Sequence, residues 1–285
     1  MTKVLITGAG GMLGTSIQKV FEDSGKFEVI ATGMSDSEIK LDITNKDSIN
    51  EILDERKPDV VINCAAYTNV EQAEDEPDVA NEINGYAVGR LAEATAVRKI
   101  KFIHISTDYV FGENDPVGYR EDDTPKLQPN AYGVSKYLGE IEGKKNNENI
   151  YICRVSWTFG PNGKNYIDTM LRLADEREEL TIVTDETGVP TYTVDVARNL
   201  MLIIENEDEY KPRIYHIVSE GNCSRFDESK TIFKIADKKI KLKKGELASF
   251  PRKAKVPNYS ILINTKLPPI QNWQDAIKEY IDDKK

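Results

Sequence analysis

An α/β fold built on a doubly wound parallel sheet of about seven strands, with a small C-terminal lobe, is what this sequence predicts. Three observations carry the prediction. Short β-branched runs alternate with longer stretches of helical period, the pattern of stacked βαβ units. The apolar residues of those runs are nearly continuous, as in strands covered on both faces. A glycine-rich turn, Thr7-Gly8-Ala9-Gly10-Gly11-Met12-Leu13-Gly14, follows the first run and opens the first helical stretch, the context of a Rossmann-type dinucleotide site.

Taken in order, the predicted strands are 3–7, 28–32, 59–63, 101–106, 150–155, 180–183 and 213–218, and the helices 12–23, 46–56, 78–98, 131–146, 166–176 and 193–205. After Ser219 the pattern loosens. Residues 221–263 are rich in lysine, carry Pro251 and Pro257, and read as a helix followed by irregular segments, before a terminal helix near 273–281. The run Lys238-Lys239-Ile240-Lys241-Leu242-Lys243-Lys244 reads as a solvated edge strand. The expected domains are a dinucleotide-binding unit over 1–156 and 179–220, a small substrate-binding lobe over 157–178 and 221–271, and a terminal helix over 272–285.

Composition narrows the function. The 285 residues hold 38 Lys and Arg against 48 Asp and Glu, a formal net charge of −10, which argues against a nucleic-acid partner tracking phosphates on a basic face. The longest apolar run, Leu200 to Ile204, is far short of the roughly 20 residues that span a bilayer. Only Val4-Leu5-Ile6 precedes Gly8, less than the apolar core of about 7 to 15 residues in a secretory signal. A cytoplasmic protein without membrane partners, monomeric or homodimeric, is expected. Cys64, Cys153 and Cys223 are odd in number and widely spaced, so reduced thiols are expected rather than a disulfide framework. His104 and His216 are the only histidines, and both are expected to be structural; no metal site is expected.

Three motifs carry chemistry. In the glycine turn, Gly8, Gly11 and Gly14 let the backbone turn sharply and approach a pyrophosphate, while the helix start supplies N–H donors. In Tyr132-Gly133-Val134-Ser135-Lys136 the phenol and ammonium share a helix face, so the charge is expected to lower the tyrosine pKa from its ordinary value of about 10. The same spacing at Tyr280 and Lys284 has no nucleotide turn upstream and reads as chance. Third, Ile105-Ser106-Thr107-Asp108-Tyr109-Val110-Phe111-Gly112 sets hydroxyls at the carboxyl end of a strand, where ligands bind in open parallel sheets; a turn capped by Ser106 and Thr107 is the alternative.

Together with Asn63-Cys64-Ala65-Ala66-Tyr67-Thr68 after the third strand, these motifs resemble in their order the extended short-chain dehydrogenase/reductase superfamily, and within it the dTDP-4-dehydrorhamnose reductases. Leu41-Asp42-Ile43-Thr44, Gln72-Ala73-Glu74-Asp75-Glu76-Pro77, Ser156-Trp157-Thr158-Phe159-Gly160-Pro161, Gly163-Lys164-Asn165-Tyr166 and Pro190-Thr191-Tyr192-Thr193-Val194-Asp195 extend the resemblance from residue 4 to about 205. It implies an oxidoreductase that uses NADPH or NADH to reduce the C4 ketone of dTDP-4-dehydro-L-rhamnose to dTDP-L-rhamnose in nucleotide-sugar biosynthesis. By the same resemblance Tyr132 is the general acid, Lys136 binds the nicotinamide ribose and depresses the tyrosine pKa, and Thr107 hydrogen-bonds the carbonyl oxygen. Met12 and Leu13 would lie on the pyrophosphate and Asp42 and Ile43 on the adenine, with Ala65, Ala66 and Tyr67 lining the cofactor channel. Thr68, Val70, Asp108, Tyr109 and Trp157 would face the sugar nucleotide, the indole stacking on an apolar sugar face.

The chain also departs from that pattern. No acid stands at the end of the second strand to bind a ribose 2′-hydroxyl; Ala31-Thr32-Gly33-Met34-Ser35 reaches Asp36 first, so NADPH is expected to be accepted at least as well as NADH. Arg225 replaces the tryptophan usual after Cys-Ser, and Lys255-Val256-Pro257 replaces an Arg-Pro pair. Two other readings stay open: a non-catalytic NADP-binding regulatory subunit resembling that of methionine adenosyltransferase, and a reductase of another nucleotide sugar.

Overall fold

A computed structural model of the chain describes residues 1–34 and 39–284. β1 (Thr2–Thr7) runs through the glycine turn into α1 (Met12–Ser24), followed by β2 (Phe27–Gly33) and the two-residue β3 (Ile39–Lys40). α2 (Lys46–Arg56) leads to β4 (Val60–Asn63); α3 (Val70–Ala73) and α4 (Pro77–Asn81) then continue through a π turn, Glu82–Tyr86, into α5 (Ala87–Arg98). β5 (Lys101–Thr107) ends in a 3₁₀ turn, Asp108–Val110, and α6 (Ala131–Asn146) precedes β6 (Tyr151–Val155). Next come β7 (Thr158–Phe159), α7 (Tyr166–Glu176), β8 (Glu179–Val183), β9 (Thr187–Gly188), β10 (Thr191–Tyr192), α8 (Thr193–Glu205) and β11 (Ile214–His216). β12 (Cys223–Ser224), α9 (Arg225–Ile235), β13 (Lys241–Gly245) and α10 (Trp273–Asp282) complete the chain.

Seven strands form one parallel sheet in the order β3-β2-β1-β4-β5-β6-β11. Alternation along β1 explains the two layers. Val4 and Ile6 pack on one face with Ile17 and Phe21 of α1 and Leu200 and Ile203 of α8. Leu5 packs on the other with Ile49 and Leu53 of α2 and Leu91 of α5. Asparagine side chains start α2, α6 and α7: Asn45, Asn130 and Asn165 each accept a first-turn N–H, which satisfies donors that the helix leaves unpaired. A third cluster joins Ile167 and Met170 of α7, Leu180 and Ile182 of β8, Phe233 of α9 and Ile277 and Tyr280 of α10.

Three differences from the sequence expectations have physical causes. The segment 180–183 is not in the central sheet; β8 pairs with β13 instead. Leu180 and Ile182 are buried while Glu179 and Thr181 are exposed, the alternation of a strand covered on one face only. The seventh place goes to β3, whose half-buried Ile39 and exposed Lys40 carry no hydrophobic run to read. The predicted helix 78–98 is interrupted by the π turn, because one inserted residue leaves the apolar period nearly intact. Ser35 and Asp36, which follow the second predicted strand, lie outside the described residues. Among the described residues no helix is long and apolar enough to cross a membrane.

Candidate active site

The strand order reverses between β1 and β4, and a sheet of this kind opens a ligand crevice at that switch point. A cleft of about 1100 Å³ lies there. Gly8 and Gly11 border it from the turn after β1 and Met12, Leu13 and Gly14 from the start of α1, Asp42 and Ile43 from the loop after β3, Ala65, Ala66 and Thr68 from the loop after β4, and Val70 from the start of α3. Thr107, Asp108, Tyr109, Tyr132, Lys136 and Trp157 border the rest. Tyr67 is the exception among the expected site residues. Its backbone N–H donates to Asn84 Oδ1 at 2.8 Å and its hydroxyl to Glu76 Oε2 at 2.8 Å, and it does not border the cleft.

The glycine turn fits a pyrophosphate. Gly8 has φ +63 and a Cβ there would stand 2.7 Å from Ala65 Cα, so the turn after β1 closes against the loop after β4 only without a side chain. A Cβ at Gly11, which precedes the first turn of α1, would meet nothing nearer than Gly8 O at 3.3 Å. The first N–H groups of α1 are therefore approachable from the cleft. Asp42 Oδ1 accepts from Thr44 N at 2.9 Å and Thr44 Oγ1 at 2.7 Å, an Asx turn that holds Asp42 and Ile43 at the cleft edge.

Thr107 ends β5 and caps the following 3₁₀ turn, accepting from Tyr109 N at 3.2 Å. Its hydroxyl also donates to Asp108 Oδ1 at 2.9 Å and lies near enough to the Tyr132 phenol to influence its ionisation. Capping and facing the cleft are thus properties of the same residue. Tyr132 and Lys136 lie one turn apart on α6, as their spacing predicts, but the expected depression of the phenol does not occur. Burial pushes Tyr132 up to about 12, the Asp108 carboxylate adds to the rise, and the Thr107 hydroxyl opposes it. Lys136 points its Nζ to the Ile105 carbonyl at 2.7 Å; burial draws the ammonium down to about 8 against the charge of Glu140. The physical reason is desolvation, which disfavours charge on both groups.

Residues that no local motif announces hold this arrangement. Glu140, one turn beyond Lys136, accepts from Ser106 Oγ at 2.7 Å and from Arg154 Nε and Nη2 at 2.8 and 2.7 Å. Both members of that ion pair are buried, so α6 is clamped to β5 and β6. Asn84, in the π turn, accepts from Tyr67 N and donates to Tyr67 O at 2.9 Å and to Ser135 Oγ at 2.9 Å; π insertions recur at functional sites. Cys64, expected only as a buried thiol, borders the cleft, and burial pushes it up to about 12. His104 accepts on Nδ1 from Asn63, while its buried Nε2 has no partner among the described residues.

Asp108, expected at the substrate, is buried with Ser156 Oγ donating to its Oδ2 at 2.9 Å. Tyr109 stands edge-on to Tyr132, with ring centroids 6.1 Å apart. Trp157 borders the cleft with its ring beneath the Arg225 guanidinium. Tyr280 lies in the third hydrophobic cluster, where its hydroxyl donates to Asp168 Oδ2 at 2.9 Å and Lys284 packs on its ring.

The chain is similar to known proteins along its whole length. The dTDP-4-dehydrorhamnose reductase of Aggregatibacter actinomycetemcomitans is 40% identical over 98% of each chain. Among solved structures, a dTDP-4-dehydrorhamnose reductase from Clostridium acetobutylicum superimposes with a TM-score of 0.92 at 38% identity, over 99% of each chain. One from Bacillus anthracis, in complex with NADP, gives 0.93 at 34% identity, covering 99% of this chain and 100% of that one. The RmlD substrate binding domain family matches residues 1–285, and the chain belongs to that family, the family of the dTDP-4-dehydrorhamnose reductases.

Proposed function

We propose that this chain is an NAD(P)H-dependent oxidoreductase that reduces the C4 ketone of dTDP-4-dehydro-L-rhamnose to dTDP-L-rhamnose. The observation that carries the reading is the convergence of Thr107, Tyr132 and Lys136 on one cleft whose other wall is the glycine turn, in a chain similar end to end to proteins named for this reaction. A bound NADPH supplies the hydride; the chain supplies the rest. Thr107 hydrogen-bonds the ketone oxygen and Tyr132 gives that oxygen its proton. A phenol held near 12 is fully protonated at neutral pH, the state a proton donor needs, and is still a stronger acid than the alcohol it forms. Lys136 takes the ribose hydroxyls of the cofactor, and the N-terminus of α1 takes its pyrophosphate. The α6 clamp through Glu140 supports this catalytic reading over a purely binding one, since it fixes Tyr132 and Lys136 against the Thr107 strand end.

Steady-state NADPH consumption with dTDP-4-dehydro-L-rhamnose tests the proposal. Tyr132→Phe is expected to bind NADPH normally and to lose about 10²-fold or more in kcat, the scale of a general acid. Tyr280→Phe, which alters the lobe core rather than the cleft, is expected to keep turnover. Equal behaviour of the two variants, or a wild type that leaves the substrate unreduced, overturns it.

A further inference from the structure

Trp157 is held in an unusual way. Its backbone has φ +42, the left-handed region that a bulky residue enters only when its surroundings hold it there. The Arg225 guanidinium carbon lies 3.3 Å from the indole centroid and 4.5 Å from that of Tyr166. The opposite face is covered by backbone. A Cβ on Gly188 would come closest to Trp157 Cε2 and stand 2.6 and 2.7 Å from Nε1 and Cζ2, a position over the ring plane rather than beyond its rim. None of its three nearest atoms belongs to Arg225, so glycine and guanidinium occupy opposite faces.

The two jaws belong to one ribbon. Cys223 and Ser224 pair antiparallel with Gly188 and Thr187, and Arg225 follows directly. Carboxylates fix the guanidinium in turn: Arg225 Nε donates to Glu186 Oε1 at 3.2 Å, Nη1 to Glu228 Oε2 at 2.8 Å, and its backbone N–H to Glu186 O at 3.0 Å. Arg252 stands 3.7 Å from Glu186 Oε2. Two cations against two carboxylates leave the cluster neutral, so the role open to Arg225 is geometric. It is a flat cap on an aromatic ring, which guanidinium provides and ammonium does not.

We infer that Arg225 is a positioning residue for substrate selection: with Gly188 it clamps Trp157 so that only the indole rim meets the cleft, and the sugar nucleotide is met by that rim rather than stacked on a ring face. The expectation that the indole stacks on the sugar is corrected accordingly, because both faces are already covered. The inference rests on the nucleotide-sugar reductase reading, and its test separates the two. Arg225→Lys keeps the charge for Glu186 and Glu228 and loses the flat cap. Gly188→Ala attacks the clamp from the other jaw without touching any charge. Each is expected to raise KM for the dTDP-sugar about fivefold or more with kcat within about twofold of wild type, and to leave the Kd of NADPH unchanged. Thermal melts confirm that each variant is folded, and acrylamide quenching of tryptophan fluorescence is expected to rise in Arg225→Lys as the ring face opens. A wild type that turns over the dTDP-sugar beside lysine and alanine variants with unchanged KM overturns the clamp and leaves the proposed function standing. A wild type that binds NADPH but no dTDP-sugar overturns both.

Discussion

At Tyr132 and Lys136 burial acts on two groups of opposite charge type, and the outcomes differ in their consequences for pH. The phenol is pushed up to about 12 and the ammonium drawn down to about 8. A cation whose pKa is lowered keeps its charge below that value and loses it as pH rises through it. The groups facing Lys136 are Glu140 from its own helix, Cys64 from the loop after β4 and His104 from β5, and of these Glu140 carries the charge that holds the lysine protonated at neutrality. Affinity for NADPH is therefore expected to fall as pH rises past about 8, by up to about tenfold one unit above the break. Fluorescence titration between pH 6.5 and 9.5 checks this. The break is expected to survive in Tyr132→Phe and to vanish in Lys136→Met; a break lost in the phenylalanine variant would assign it to the phenol.

The helix that carries those residues, α6, is fixed by a buried ion pair rather than by apolar packing alone. Glu140 is held below the ordinary carboxylate range by Arg154 despite a desolvation cost that pushes the other way. Such a carboxylate contributes stability fully above its unfolded value and loses it as pH falls through its folded one. Glu140→Ala strands Arg154, whose remaining partners are the Phe111 ring and His216 Nε2 at 3.4 Å, and is expected to cost about 3 to 5 kcal/mol in denaturant unfolding. A loss below about 1 kcal/mol would show that the clamp is dispensable. This element also marks what the sequence could convey. The boundaries of α2 and α6 were legible from local period, as were Thr107, Tyr132 and Lys136, which share one strand end and one helix face. The Glu140–Arg154 pair, the Asn84 bridge of the π turn and the Arg225–Trp157 stack join residues distant in the chain, and no spacing rule registers them. The pairing of β8 escapes the sequence for the same reason: its apolar residues identify a strand, while its partner β13 is known only from the fold.

On the scale of the whole molecule, charge and cleft pull in different directions. The chain carries a formal net charge of −10, yet the ligand proposed for the cleft is a polyanion. Among the described residues bordering the cleft, Asp42 and Asp108 balance Lys136 and Lys164, so no local excess of positive charge draws an anion in. In the proposed reading the affinity for phosphates comes from short-range N–H donors at the start of α1, which act only on contact. Long-range repulsion between a negative protein and a negative cofactor is screened by salt over a Debye length of about 10 Å at 0.1 M. The association rate of NADPH is therefore expected to stay level or rise, by about twofold or more, between 10 and about 200 mM salt, the reverse of an electrostatically steered site. Stopped-flow quenching of tryptophan fluorescence measures it. A rate that falls steeply over that range would mean that the cleft focuses positive potential despite the net charge, and would move the phosphate contact from the helix start to the cation at Lys164, whose removal would then flatten the salt dependence.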